Sequence, residues 1–159
     1  MSTFVHAKIA CVACAHTYDG DVAESLHVST RPDLRDDILA GRFHRFACPA
    51  CGASTVIEKL LAYTDFDRHH WFTVVGAVEL PFVSEWRAFA REAFQKTMRE
   101  RSPALVRDQI APKMRQRLVF GLASLREKLV AFDAGLDDRV LELLKLEVLR
   151  ERGVVPDWR

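Results

Sequence analysis

No apolar run in the 159-residue sequence reaches the roughly 18 residues that a membrane-spanning helix needs. The first residues also lack the basic segment followed by an apolar segment that is typical of a secretory signal. Neither sign of charge is in excess, because 23 basic residues stand against 22 acidic ones. No general field therefore attracts nucleic acid or anionic lipid. We expect a cytoplasmic protein without a membrane partner, for which nucleic acid is a disfavoured ligand.

The sequence also lacks the short motifs of common enzymes. It has no Ser/His/Asp signature, no glycine loop that would cradle a phosphate, and no dinucleotide-binding fingerprint. Hydrophobic residues make up 49% of the chain and charged residues 28%, as in an ordinary globular protein. These observations favour a folded, non-catalytic protein.

Cysteine is scarce but ordered: Cys11, Cys14, Cys48 and Cys51 form two CxxC pairs, and no cysteine is left over. Such pairs predict one tetrahedral Zn²⁺ site. Four thiolates leave no position for water, so the zinc would be structural. The 33 residues between the pairs exceed the gap of roughly 15–20 in a four-cysteine zinc ribbon. Disulfides, another metal and redox chemistry are the less favoured alternatives.

The first half of the chain shows the short, turn-bounded patterns of β-strands. Asp19-Gly20-Asp21 suggests a turn, and Thr30 suggests the cap of a short helix that begins near Pro32 and ends at Gly41. The predicted strands are 3–10, 22–30, 42–47, 53–61 and 71–78. This pattern predicts a zinc-ribbon-like antiparallel β module with an inserted short helix.

Beyond residue 80 the apolar period lengthens to that of a helix. Ser84 is the expected N-cap of the first helix, and residues 115–120 are a candidate strand. Two closing helices are predicted at 122–133 and 138–152. The expected fold class is α+β, with the β module at 1–80 and a mostly helical region at 81–159 packed on it.

Several segments of the chain resemble the bacterial CpXC family, which has no assigned biochemical function. The resemblance rests on the two cysteine pairs, Val28–Leu34 followed by Gly41, Phe46–Gly52, Leu118–Leu122 and Phe132–Arg139. Val12 departs from the pattern, because the family's name puts proline there. The resemblance implies a metal-binding bacterial protein and no particular activity.

A second group of potential metal ligands comprises Asp65, Asp67, His69 and His70. Carboxylates and imidazoles of this kind serve hydrolytic metal centres, so a metal-dependent hydrolase is one alternative function. A polar hairpin is the simpler interpretation, because adjacent histidines on a strand point to opposite faces. His16 follows the first cysteine pair and is a possible partner of a cysteine sulfur.

Two charged groups have simple interpretations. Asp133, Asp137 and Asp138 suit capping and surface positions better than an acidic catalytic cluster. The stretch from Lys96 to Arg117 holds seven basic residues against two acidic ones. We interpret it as a solvated face. The alternative function that it supports is a nucleic-acid-binding zinc ribbon.

The closing helix has more apolar residues than one buried stripe requires. A core face is predicted at Val140, Leu141, Leu144 and Val148, with Leu143 at its edge. Leu146 and Leu149 fall on the opposite side, as a possible interface. The sequence thus predicts a structural-zinc protein that acts as a non-catalytic protein-interaction module, with an unknown partner and a possible homodimer.

Overall fold

The computed structural model describes residues 1–152 and has an α+β architecture, as the sequence predicted. A five-stranded mixed sheet has the order β1-β2-β5-β6-β7, and a separate two-stranded sheet pairs β3 with β4. The strands are β1 (Thr3–Ala10), β2 (Thr17–His27), β3 (Arg45–Ala47), β4 (Ser54–Val56), β5 (Leu61–Asp65), β6 (His70–Val75) and β7 (Arg115–Phe120). The α-helices are α1 (Pro32–Leu39), α2 (Val83–Phe94), α3 (Leu122–Asp133) and α4 (Asp138–Glu151).

Two of the four strand pairings in the large sheet are parallel, namely β2 with β5 and β6 with β7. The pairings of β1 with β2 and of β5 with β6 are antiparallel. A parallel pair needs a long crossover. The first crossover contains α1 and the small sheet, and the second contains α2 followed by π-helical turns at Gln95–Glu100 and Val106–Ile110.

The sheet is covered on both faces at β6, whose successive side chains point in opposite directions into two different cores. Phe72 belongs to a core that the sheet forms with α1 and α3. This core also includes Leu34, Ile38, Leu125 and Leu129. Trp71 belongs to a smaller core with Phe94, Met98, Ala111 and Met114. All six residues of β6 are buried. This explains why the sequence of β6 does not alternate.

The turn predicted at Asp19-Gly20-Asp21 is wrong, because these residues lie inside β2. Gly20 pairs with Ala7 of β1. A Cβ atom on Gly20 would lie 2.6 Å from Ile9 Cδ1 and 3.0 Å from Phe46 Cε1. The glycine therefore serves close packing inside a strand rather than a turn, and the β1–β2 turn is formed by the first cysteine pair.

Two predicted helix caps are also wrong. The Thr30 hydroxyl donates to the carbonyl of His27 at 3.0 Å, and α1 begins at Pro32 without a side-chain cap. Ser84 lies inside α2, which continues from a 3₁₀ turn at Ala77–Phe82. Pro32 in the first turn of α1 is confirmed, and Gly41 adopts a φ of 71° just past its end.

The predicted strand at residues 115–120 is confirmed, and it pairs with β6. The predicted helices at 122–133 and 138–152 match α3 and α4 closely. The strand predicted at 53–61 is instead divided into the short β4 and the start of β5. Within residues 1–152, no helix combines the length and the apolar character needed to cross a membrane.

Candidate metal centre

The first cysteine pair forms the turn between β1 and β2. The amide of Cys11 donates to the carbonyl of His16 at 2.9 Å, which continues the hairpin. The amide of Ala15 donates to the carbonyl of Cys11 at 3.0 Å, and Ala15 has a φ of 58°. Inside the turn, the amide of Ala13 donates to Cys11 Sγ at 3.4 Å. We call this tight loop of residues 11–15, which carries both sulfur atoms of the pair, the first knuckle.

The second pair repeats this geometry between β3 and β4. The amide of Cys48 donates to the carbonyl of Ala53 at 2.9 Å, and the amide of Gly52 donates to the carbonyl of Cys48 at 2.8 Å. Gly52 has a φ of 73°, a left-handed conformation that favours glycine. Ala15 occupies the equivalent position in the first knuckle. The absence of glycine and proline there therefore does not change the loop.

The fold brings the four sulfur atoms within 4.8 Å of one another. Cys11 Sγ lies 3.6 Å from Cys51 Sγ, and Cys14 Sγ lies 3.7 Å from Cys48 Sγ. Both contacts cross between the knuckles, and both are far longer than the roughly 2.05 Å of a disulfide. A tetrahedral ion with Zn–S bonds of about 2.3 Å requires sulfurs about 3.8 Å apart. The sulfur cluster therefore fits one metal ion.

The four thiols affect one another's ionisation. The amides of Ala13 and Cys14 lower the pKa of Cys11 to about 6. The amide of Ala53 also favours the thiolate of Cys51, but the adjacent thiols Cys14 and Cys11 oppose it and raise the pKa of Cys51 to about 12. Four thiolates in this space require a compensating cation. A divalent metal ion that binds thiolates would supply that charge.

His16 does not contribute a side-chain ligand or donor within the described residues. Its ring stacks against Tyr18, with the centroids 6.5 Å apart. Its carbonyl accepts the hydrogen bond from Cys11. His16 thus supports the first knuckle through its backbone, a role that the sequence does not indicate.

The group from Asp65 to His70 forms the β5–β6 hairpin, and the structure does not assemble it as a metal site. Asp65 is fully buried, and its carboxylate accepts from the amide and guanidinium of Arg68, both at 3.1 Å. In residues 1–152, a group of three or more potential metal ligands occurs only at the four cysteines. The hydrolase alternative therefore has no ligand set in this hairpin.

The three aspartates near α4 act through different contacts. Asp137 caps α4 by accepting from the amide of Arg139 at 2.9 Å, as the sequence predicted. Asp138 is not at the surface as expected, because it is buried and accepts from Arg117 at 2.6 and 2.7 Å. The Asp133 carboxylate accepts from the nearly buried Arg35 of α1 at 2.5 and 2.7 Å. Two of the three are therefore structural ion pairs.

The predicted core face of α4 is wrong for three of its four residues, and only Leu141 is half-buried. Val140, Leu144 and Val148 are 54%, 59% and 45% exposed, whereas Leu146 and Leu149, which we expected on the outer side, are half-buried. The reason is that Asp138, at the start of the helix, is buried and forms ion pairs with Arg117 and Lys128. Its ion pairs orient the polar side of α4 toward the rest of the chain. Helical period alone cannot reveal this choice.

A family model described as CpXC protein matches residues 9–145. No curated protein and no solved structure matches the chain. The matched segment contains both cysteine knuckles, the whole large sheet from the end of β1 onward, and most of α4. The chain therefore belongs to the CpXC family.

Proposed function

We propose that the protein holds one structural Zn²⁺ at its four cysteines and acts as a non-catalytic protein-interaction module. Four thiolates fill the coordination sphere of the ion, so the metal has no position for a substrate or an activated water. The ion fixes the small β3–β4 sheet against the β1–β2 hairpin. The interaction role rests on one observation, the orientation of α4.

Helix α4 uses three of its charged residues, Asp138, Glu142 and Lys145, for contacts with its own chain, and it leaves several apolar side chains exposed to solvent. On the inner side, Lys128 of α3 contacts Asp138 at 3.3 Å and Glu142 at 3.1 Å, and Lys145 pairs with Glu127. On the outer side are Val140, Leu143, Leu144 and Val148, with exposed fractions of 45–65%. We call these four residues the α4 patch. Surface helices normally have the opposite arrangement.

The surface beside the α4 patch is apolar as well. Val130 of α3 and Leu136 of the α3–α4 loop are 52% and 55% exposed. Together with Leu141 they line a shallow cavity of about 440 Å³. Contiguous exposed apolar surface of this kind marks interaction sites in soluble proteins.

A second copy of the chain is the partner that this patch suits best. An antiparallel pairing of two α4 helices centred on Leu144 would bring Val140 of one copy opposite Val148 of the other. Such a patch is self-complementary, as a two-fold interface requires. The expectation that Leu146 and Leu149 contribute to the contact stays a prediction, but the more exposed α4 patch is the better candidate.

Light scattering tests the interaction proposal. The zinc-loaded protein should be a dimer at tens of micromolar, and Leu143→Glu with Leu144→Glu should make it monomeric without unfolding it. Val78→Glu is the matched control, because Val78 is 82% exposed and distant in sequence from α4. A monomeric wild type, or a double variant that remains a dimer, contradicts the dimer.

X-ray absorption and metal analysis test the zinc proposal. We expect about one zinc per chain, with four sulfur ligands at about 2.3 Å. Cys48→Ser should lose the metal and lower the melting temperature, because binding of a structural metal contributes folding free energy. Oxygen or nitrogen in the first coordination shell would contradict the four-cysteine assignment. Salt-dependent retention on heparin would favour the nucleic-acid alternative instead.

A further inference from the structure

A cleft opens at the β5–β6 hairpin, where β7 begins and α3 ends. It encloses about 600 Å³ and is lined by Arg68, His69, His70, Lys113, Arg115 and Phe132, together with Asp133. This volume is within the range of small-molecule sites. The four cysteines are not among its lining residues.

The residues that line the cleft, counted with their ion-pair partners Arg35 and Asp65, have an excess of positive charge. Of the two carboxylates there, Asp133 binds Arg35, and Asp65 binds Arg68. No carboxylate within residues 1–152 forms an ion pair with Lys113 or Arg115. Four cations, Arg35 included, therefore stand against two anions. His69 and His70 add donors to a site with about two unmatched positive charges.

Among the residues that line the cleft, His70 has a buried ring nitrogen, Nδ1, without a hydrogen-bond partner within the described residues. Behind the cleft, the buried Tyr63 hydroxyl neighbours the Arg35 guanidinium, whose Nε lies 3.9 Å from Asp65 Oδ2. Tyr63 is fully buried, and His70 is 5% exposed. Both rings stack on Phe72, at 5.5 and 5.0 Å. Buried polar groups without partners are rare in native proteins and call for an explanation, such as a ligand or ordered water.

The principal cation of the cleft is held in place before any ligand binds. The Arg115 guanidinium lies over the ring of Phe132, 4.3 Å from its centroid. The amide of Arg115 donates to the carbonyl of His69 at 2.6 Å, and His69 has a φ of 56°. A left-handed non-glycine residue is strained, and such strain tends to occur at ligand sites. The guanidinium therefore loses little freedom when it meets an anion.

We propose that this cleft binds a small dianion, specifically a phosphate monoester group. The fork of Arg115 matches two phosphate oxygens, Lys113 adds a second charge, and buried His70 adds a hydrogen-bonding nitrogen at the base. A phosphate monoester carries about −1.5 to −2 charges at pH 7, which balances the two unmatched cations. A dicarboxylate has similar charge but a different shape, and it is the competing ligand.

Calorimetric titration of the zinc-loaded protein tests this proposal. The probes are inorganic phosphate, malonate as a dicarboxylate and acetate as a monoanion, all at constant ionic strength. We expect saturable binding of one phosphate per chain, tighter than malonate, with acetate weakest. Absence of saturable phosphate binding at 10 mM or below, which corresponds to a Kd of about 10 mM or weaker, overturns the site. Tighter binding of malonate overturns the phosphate assignment.

Two variants locate the binding. Lys113→Gln and Arg115→Gln should each weaken phosphate binding by about tenfold or more, since each removes a charge-assisted contact. Lys113 is exposed, so its replacement should leave the melting temperature unchanged. Arg99→Gln is the matched control, because it removes the same charge from an exposed residue outside the lining of the cleft. Equal weakening in all three variants would indicate general charge attraction and contradict a defined site.

Discussion

His44 makes the stability of this protein sensitive to acid. Its side chain is 93% buried, and its Nε2 accepts the amide of Ala23 at 2.8 Å. Its Nδ1 lies 3.2 Å from the carbonyl of Ile57 and donates to it in the neutral ring. Protonation of Nε2 would place a ring N–H opposite the amide N–H of Ala23, so this hydrogen bond would be lost. Burial, only partly offset by the Ile57 carbonyl, lowers the pKa of His44 from 6.5 to about 4.

The sign of the pH effect follows from this lowered pKa. Between pH 6.5 and pH 4, the unfolded chain binds a proton at residue 44 and the native protein does not, so stability falls as the pH falls. Each tenfold difference in proton affinity corresponds to about 1.4 kcal/mol. From pH 7 to pH 5, His44 should therefore remove about 2 kcal/mol from the free energy of unfolding.

Urea unfolding of the wild type and His44→Gln at pH 7 and pH 5 measures this contribution. Gln has no titratable group and can present its amide oxygen to Ala23. The variant should be less stable at pH 7, but it should lose about 2 kcal/mol less than the wild type on acidification. Zinc release and His70 affect both proteins equally and cancel in this difference. Equal losses in the two proteins would refute the assignment to His44.

Three further predictions follow from the contacts around the fold. Gly20→Ala should lower the free energy of unfolding by about 1–2 kcal/mol, because its Cβ overlaps Ile9, although the methyl group recovers part of the conformational entropy; an unchanged urea midpoint would contradict this. Asp138→Asn should cost about 3 kcal/mol or more, since it leaves Arg117 and Lys128 without their buried partner; denaturant titration measures the loss. His69→Ala should leave the zinc content at about one per chain, and a decrease would revive a second metal site.

Much of the metal centre could be predicted from the sequence because its determinants are local. A CxxC turn depends on a few neighbouring residues, and two such turns make one tetrahedral site. The bounds of α3 and α4 could also be predicted from local signals, because Gly135 and Asp137 mark the break between the two helices. The strand β7 was predicted from its own composition, but its parallel pairing with β6 was not.

The contacts that the sequence did not reveal join residues far apart in the chain. Arg35 and Asp133 meet across 98 residues, and Asp133 is one of the residues that line the cationic cleft. The sequence carries no signal for this pair, because Arg35 stands beside Asp36 and Asp37 on α1, where an exposed local ion pair is the simpler expectation. The orientation of α4 also depends on residues outside the helix. Its apolar face points outward because Arg117 and Lys128 fix the position of Asp138.

All four cysteines lie within the first third of the chain, whereas the sheet is complete only with β7 at Arg115–Phe120. During synthesis from the N-terminus, at about 5–20 residues per second, the last cysteine leaves the ribosome several seconds before β7 does. The ion can therefore bind the nascent chain while the parallel partner of β6 is still missing. An ion bound at that stage would join the β1–β2 hairpin to the β3–β4 sheet before the long-range pairing of β6 with β7 forms.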